Sequence, residues 1–122
     1  MIGYTTLGTN NFDTTAAFYD ALLAQLNATR LMDMGTFVLW GRSMDEACLA
    51  LTLPFDQNPA TVGNGVMIAL RADSQEHVGE IHAKALALGG SDEGAPGPRG
   101  DGFYAGYFRD PDGNKLCAFF MG

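Results

Sequence analysis

Positive charge is scarce in this chain: seven Lys and Arg stand against fourteen Asp and Glu, for a net charge of −7. Nucleic acids and anionic membranes are polyanions, so neither is expected as a partner. No apolar run approaches the roughly 20 residues of a membrane span. The N-terminus has no charged region ahead of an apolar stretch, so no signal peptide is expected. Cysteine is limited to Cys48 and Cys117, both in apolar strand-like runs and without a metal-type spacing. Together these absences lead to an expectation of reduced thiols in a cytoplasmic protein. Histidine is limited to His77 and His82, five residues apart on a predicted helix, where they do not share a face as an i, i+4 pair would. A Ser/His/Asp arrangement, a P-loop and a dinucleotide fingerprint are all missing, and the glycines punctuate loops.

What is present is one design written twice. Apolar residues make up 47% of the 122 residues, enough for a core. Residues 2–8 (IGYTTLG) read as a strand, followed by an amphipathic helix from about Asp13, started by Asn10, Asn11 and Asp13 and carrying Phe18, Leu22 and Leu26 on one stripe. Residues 64–71 (NGVMIALR) read as a second strand. A second helix follows from about Ser74, with Asp73 and Glu76 in capping-box-like spacing and Val78, Ile81, Ala85 and Leu88 buried. Each strand–helix pair precedes three short strand-like runs. In the second half, Gly94–Gly102 (GAPGPRGDG) reads as a mobile loop or lid, and DPDGN at Asp110–Asn114 as the turn of a closing hairpin. Gly89 and Gly90 stop the second helix by supplying the left-handed conformation a helix end often needs. The predicted fold is α+β, two βαβββ modules at 1–58 and 64–122 joined by the Pro/Asn/Gly-rich segment 54–64, with eight strands and the helices outside.

The run YAGYFRDPDGNKLCAF at Tyr104–Phe119, with LGTNNF and AFYDALLA near the N-terminus and GNGVMIAL at mid-chain, resembles the vicinal oxygen chelate superfamily: glyoxalases, extradiol dioxygenases, and fosfomycin- and bleomycin-resistance proteins. The resemblance covers essentially the whole chain. It implies paired βαβββ modules whose curved sheets enclose a cavity, often completed by a homodimer. It also implies a divalent metal held by a His in the first strand, a His or similar ligand in the first strand of the second module, and a Glu in the last strand. Those positions fall on Tyr4, Gly65 and Cys117, none of which keeps the family's ligand. A member without the family's metal and without any other cofactor is therefore expected, a divalent metal being disfavoured.

Period-two alternation places Thr6, Met67 and Phe119 on the same cavity face as Tyr4, and Thr52 there too, between Leu51 and Leu53. Tyr4 is a phenol donor into the cavity or a core tyrosine. Trp40 stacks on a planar ligand or fills the core. Cys117 is an apolar lining residue in preference to a nucleophile, because no cation or helix N-terminus stands next to it in sequence to lower its pKa. Arg99, in the Gly/Pro loop, is a partner for an anionic ligand group or an exposed loop residue. The leading functional expectation is a cavity that binds a small organic molecule without metal. The alternative is a lactoylglutathione lyase-like or extradiol dioxygenase-like enzyme with an altered metal site; a structural dimer with a vestigial pocket is the third reading.

Overall fold

The computed structural model describes all 122 residues, in two compact units, Met1–Val62 and Gly63–Gly122. In the first unit the order is β1 (Tyr4–Gly8), α1 (Phe12–Ala24), β2 (Thr29–Asp33), β3 (Phe37–Gly41) and β4 (Cys48–Thr52). The second repeats it with β5 (Ile68–Arg71), α2 (Gln75–Ala87), β6 (Ser91–Pro98), β7 (Phe103–Arg109) and β8 (Lys115–Met121). Each unit holds one mixed sheet, in the order β1-β4-β3-β2 and β5-β8-β7-β6 respectively. In both, the first strand is an edge strand running parallel to the last, and the other pairs are antiparallel. The α+β fold of eight strands and two helices agrees with the sequence expectation.

Helix α1 buries Thr15, Ala16, Phe18, Tyr19, Leu22 and Leu23, a stripe that recurs every three to four residues. Each fully buried Leu or Phe contributes about 1.5–3 kcal/mol relative to exposure. The start of α1 differs from the sequence expectation: Asn11 makes no side-chain capping bond. Thr9 Oγ1 instead accepts from the Asn11 amide at 3.1 Å, and Asn10 is tied by its side-chain amide to both backbone groups of Ala60 at 2.7 and 3.0 Å. Asn10 thus fastens the linker to the helix start. Helix α2 is capped by Ser74, which accepts from the His77 amide at 3.0 Å, and not by an Asp73–Glu76 box. The caps were mislocated because Asn, Asp and Ser all suit this position, and tertiary contacts choose among them.

Two further corrections concern the second unit. Its first strand begins at Ile68, because Gly65 sits in a turn at φ +100°, a left-handed conformation that ends any extended run before it. Residues 94–98 belong to β6 and are no lid. The edge position of this strand tolerates Pro96, and two register breaks, between Asp92 and Gly94 and between Gly94 and Gly97, absorb the irregular sequence. His82 lies on α2, on the helix side of the sheet and away from the helix-free face. It is buried under the sheet, where its Nε2 lies 3.1 Å from Asp92 Oδ1 and 3.2 Å from the Tyr107 carbonyl, and its ring packs edge-on to Phe108. No helix is long and apolar enough to cross a membrane.

Candidate functional site

Side chains at i and i+2 of a strand, and those directly paired on neighbouring strands, share a face of the sheet. Each sheet has one face packed on its helix and one free of it. In the first unit α1 covers the Leu7, Val38, Trp40, Leu49 and Leu51 side. Trp40 is the clearest case: its indole N–H donates to Asp20 on α1 at 2.8 Å, and its ring lies 5.7 Å from Tyr19. Arg30 grips the same carboxylate through two 2.8 Å bonds and holds its pKa below the usual carboxylate value. Trp40, a candidate for ligand stacking, is therefore a core residue of the opposite face: odd and even positions of a strand with both faces buried look alike in sequence.

The helix-free face of the first unit carries Tyr4 and Thr6 on β1, Phe37 and Leu39 on β3, and Cys48, Ala50 and Thr52 on β4. Leu39, Cys48 and Ala50 form its buried floor, with Leu31 and Phe37 packed against them. Tyr4 is 56% exposed at the sheet edge, its ring edge-on to Phe37 at 6.1 Å. The Thr52 hydroxyl donates to the Leu53 carbonyl at 2.9 Å. Tyr4, Thr6 and Thr52 thus share one face, which is apolar with three hydroxyls and bears no charge.

In the second unit α2 covers Phe108, Leu116 and Ala118, and the helix-free face holds Cys117 and Phe119 on β8. Around them stand Ala69 and Arg71 on β5 and Phe103, Ala105 and Tyr107 on β7. Met67 is exposed and immediately precedes β5. Phe119 stacks on Phe103 at 5.6 Å. Arg99 lies beyond the end of β6 and is not on a loose loop: its backbone amide donates to the Phe103 carbonyl at 2.7 Å, and its guanidinium folds back to the Ala95 carbonyl at 2.6 Å. There it lies 5.5 Å over the Tyr107 ring. Cys117 is buried, and burial pushes its thiol up against the opposing pull of Lys115. It is a protonated wall residue at neutral pH, not a thiolate nucleophile.

Two residues of this face, Arg71 and Lys115, were missed in the sequence. The signal was available: Lys115 is two residues before Cys117, and Arg71 is two after Ala69. Neither stands out, because Arg71 ends β5 and Lys115 begins β8, where charged residues are ordinary.

The donor set does not fit the family's metal. Of the three ligand positions, Tyr4 and Cys117 offer a phenol and a protonated thiol, and Gly65 offers no side chain and lies outside β5. No group of three or more His, Cys, Asp or Glu side chains gathers anywhere in the chain in a way that could hold a metal ion.

The family model described as Glyoxalase/Bleomycin resistance protein/Dioxygenase superfamily matches residues 1–118. A glyoxalase/bleomycin resistance protein from Albidiferax ferrireducens T118 is 34% identical, superposes with a TM-score of 0.91, and covers 100% of this chain and 99% of its own. A family enzyme from Burkholderia phytofirmans PsJN shares the fold at 17% identity and TM-score 0.80, with 98% of each chain covered. A lactoylglutathione lyase from Agrobacterium tumefaciens shares it at 24% identity and TM-score 0.69, over 98% of this chain and 92% of that one. Comparison with curated proteins gives no match.

Proposed function

We propose, from the premise that this chain belongs to the Glyoxalase/Bleomycin resistance protein/Dioxygenase superfamily, that it binds a small organic molecule on the helix-free faces of its sheets, without the metal that the family's enzymes use. The observation that carries the reading is the donor set. The positions that would ligate a metal are occupied by Tyr4, Gly65 and Cys117, while the same faces keep an apolar and aromatic lining with a few polar groups. Such a lining is what small-molecule sites are built from. Both cysteines are free and buried, which supports a reducing compartment and hence a cytoplasmic protein. Homodimerisation belongs to the same proposal, since β1 and β5 each leave one strand edge unpaired within their sheets.

The test is a melting-temperature screen in chelator against a library of small organic compounds, run beside titrations with Ni²⁺, Zn²⁺, Mn²⁺ and Fe²⁺ and elemental analysis of the purified protein. Trp40 is walled in on the helix side, so its fluorescence is a poor reporter and the melting temperature is the readout. A ligand at 100 times its Kd adds about 2.7 kcal/mol, a rise on the order of 10 °C for a chain of this size. Organic compounds are expected to give such shifts in chelator, with metals giving none and the purified protein carrying substoichiometric metal. Stoichiometric metal, or ligand shifts seen only after metal loading, would overturn the reading and direct attention to lyase and dioxygenase assays. Light scattering on the same sample, reading twice the 13.0 kDa chain mass, tests the dimer.

A further inference from the structure

The seven cations of this acidic chain are unevenly placed. Arg30, Arg42 and Arg109 each hold a carboxylate: Asp20 and Asp33, Glu46, and Glu93 respectively. Lys84 sits in the last turn of α2, where a positive charge complements the helix dipole. The remaining three, Arg71, Arg99 and Lys115, form no salt bridge, and all three lie on the helix-free face of the second sheet; of them Lys115 alone feels a carboxylate, that of Glu93, which is bonded to Arg109. A surface evolved for solubility alone intersperses charges of both signs. Here, with acids outnumbering bases two to one, none forms an ion pair with these three, and the one acid near Lys115, Glu93, is held by Arg109.

Aromatic rings hold them in place. The Arg71 guanidinium lies 5.0 Å over Phe119, that of Arg99 lies 5.5 Å over Tyr107, and Lys115 Nζ lies 5.6 Å from the same ring. Each contact orients a cation without neutralising it. The seat of Arg99 also needs missing side chains: a Cβ at Gly97 would stand 3.1 Å from Nη1, and one at Gly94 would stand 3.4 Å from Nη2. Two of its five N–H donors are engaged, by the Ala95 and Pro98 carbonyls, which leaves three. Between the cations the surface is low and apolar. Ala69 and Tyr107 flank Cys117, and Arg71 and Ala105 flank Phe119.

We propose that this face recognises a planar organic anion, an aromatic or conjugated body bearing a carboxylate or sulfonate. The apolar part lies along Cys117 and Phe119, and the anionic group is taken by Arg71, Arg99 and Lys115. The proposal rests on the reading that the helix-free faces bind a small organic molecule, and adds the chemical class of that molecule. The chain's net negative charge is no obstacle, because a small anion meets the local field, and this face is locally positive. Guanidinium groups suit such a ligand, as their planar fork matches a carboxylate and their faces stack on rings.

The experiment compares two probes with the same ring system, anilinonaphthalene sulfonate and its uncharged counterpart N-phenylnaphthylamine, by fluorescence titration of the full chain. The sulfonate is expected to bind at least about tenfold more tightly than the amine, as one charge-assisted contact permits. Arg71→Gln and Arg99→Gln are each expected to raise the sulfonate Kd about tenfold and to move the amine Kd less than about twofold. Arg42→Gln, a cation paired with Glu46 in the other unit, is expected to change neither. A salt titration of the unmodified protein gives the same discrimination without substitution: between about 0.05 and 0.5 M salt the sulfonate weakens and the amine holds. Equal binding of both probes, unaffected by the substitutions and by salt, overturns the anion assignment and leaves the binding reading standing. Saturable binding of neither probe overturns both.

Discussion

Asp110→Ala is expected to cost about 3 kcal/mol of stability, the sum of the charge-assisted hydrogen bonds it removes less what water recovers. The side chain of Asp110 is 3% exposed and works as a cage for the β7–β8 turn. One oxygen accepts from the amides of Asp112 and Asn114, both at 2.9 Å, and the other accepts from the Asn114 side chain at 2.9 Å. The backbone closes the same turn with Asp110 N–H to the Asn114 carbonyl and Gly113 N–H to the Asp110 carbonyl, each 2.9 Å. Alanine removes the Asp110 acceptor of the buried Asn114 amides, and the loss is a sizeable part of the roughly 5–15 kcal/mol a domain possesses. Asp110→Asn keeps one acceptor oxygen and is expected to recover about half. Urea midpoints for the three proteins check this, and a loss under about 1 kcal/mol in the alanine variant would show that the cage is dispensable. Arg109, which donates to the Gly113 carbonyl at 2.8 Å, braces the turn from outside, so the hairpin loosens and does not dissolve. The site feels this directly, because the hairpin carries Tyr107, Lys115, Cys117 and Phe119.

That turn was also the most legible part of the sequence. DPDGN names its own conformation, and the alternating runs on either side form the hairpin it implies. The doubled strand–helix pattern was legible for a similar reason: local chemistry and global fold agree there. Legibility failed where a tertiary contact outweighed local preference. GAPGPRG reads as a loop by every local rule, yet residues 94–98 extend along β7 because an edge strand needs only one partner, and the glycines there give room to Arg99. Trp40 and Cys117 both sit in strands flanked by others, where the two faces are equally apolar in sequence; only the register assigns one to the helix and the other to the free face. The cationic face was hidden because its members come from β5, β8 and the chain just past β6, and no window of sequence contains them together.

The second large effect is at Gly90, and its neighbour supplies the contrast. Both Gly89 and Gly90 read as a helix stop, but the structure gives them different jobs. Gly89 has φ +101° and nothing within 4 Å of where a Cβ would stand, so alanine there pays only the left-handed backbone penalty, about 1 kcal/mol. Gly90 has no such dihedral. A Cβ there would stand 2.6 Å from the Arg109 carbonyl oxygen and 2.8 Å from that of Ala85, both backbone atoms. Neither can retreat cheaply. The Gly90 amide itself donates to Ala85 at 2.9 Å, and Arg109 is the register partner of Ser91, where β6 begins. Gly90→Ala is therefore expected to cost about 3 kcal/mol, the upper range for forcing an atom into filled space. The strain would be relieved by separating α2 from the start of β6, so amide exchange at Ser91, Asp92 and Glu93 should quicken in Gly90→Ala and stay near the unmodified rate in Gly89→Ala. Urea unfolding of the two variants side by side checks the order. If Gly89→Ala cost as much as Gly90→Ala, the backbone dihedral rather than the collision would be what the sequence preserves here, and the close approach of Gly90 to Arg109 would carry no weight in holding β6 against β7.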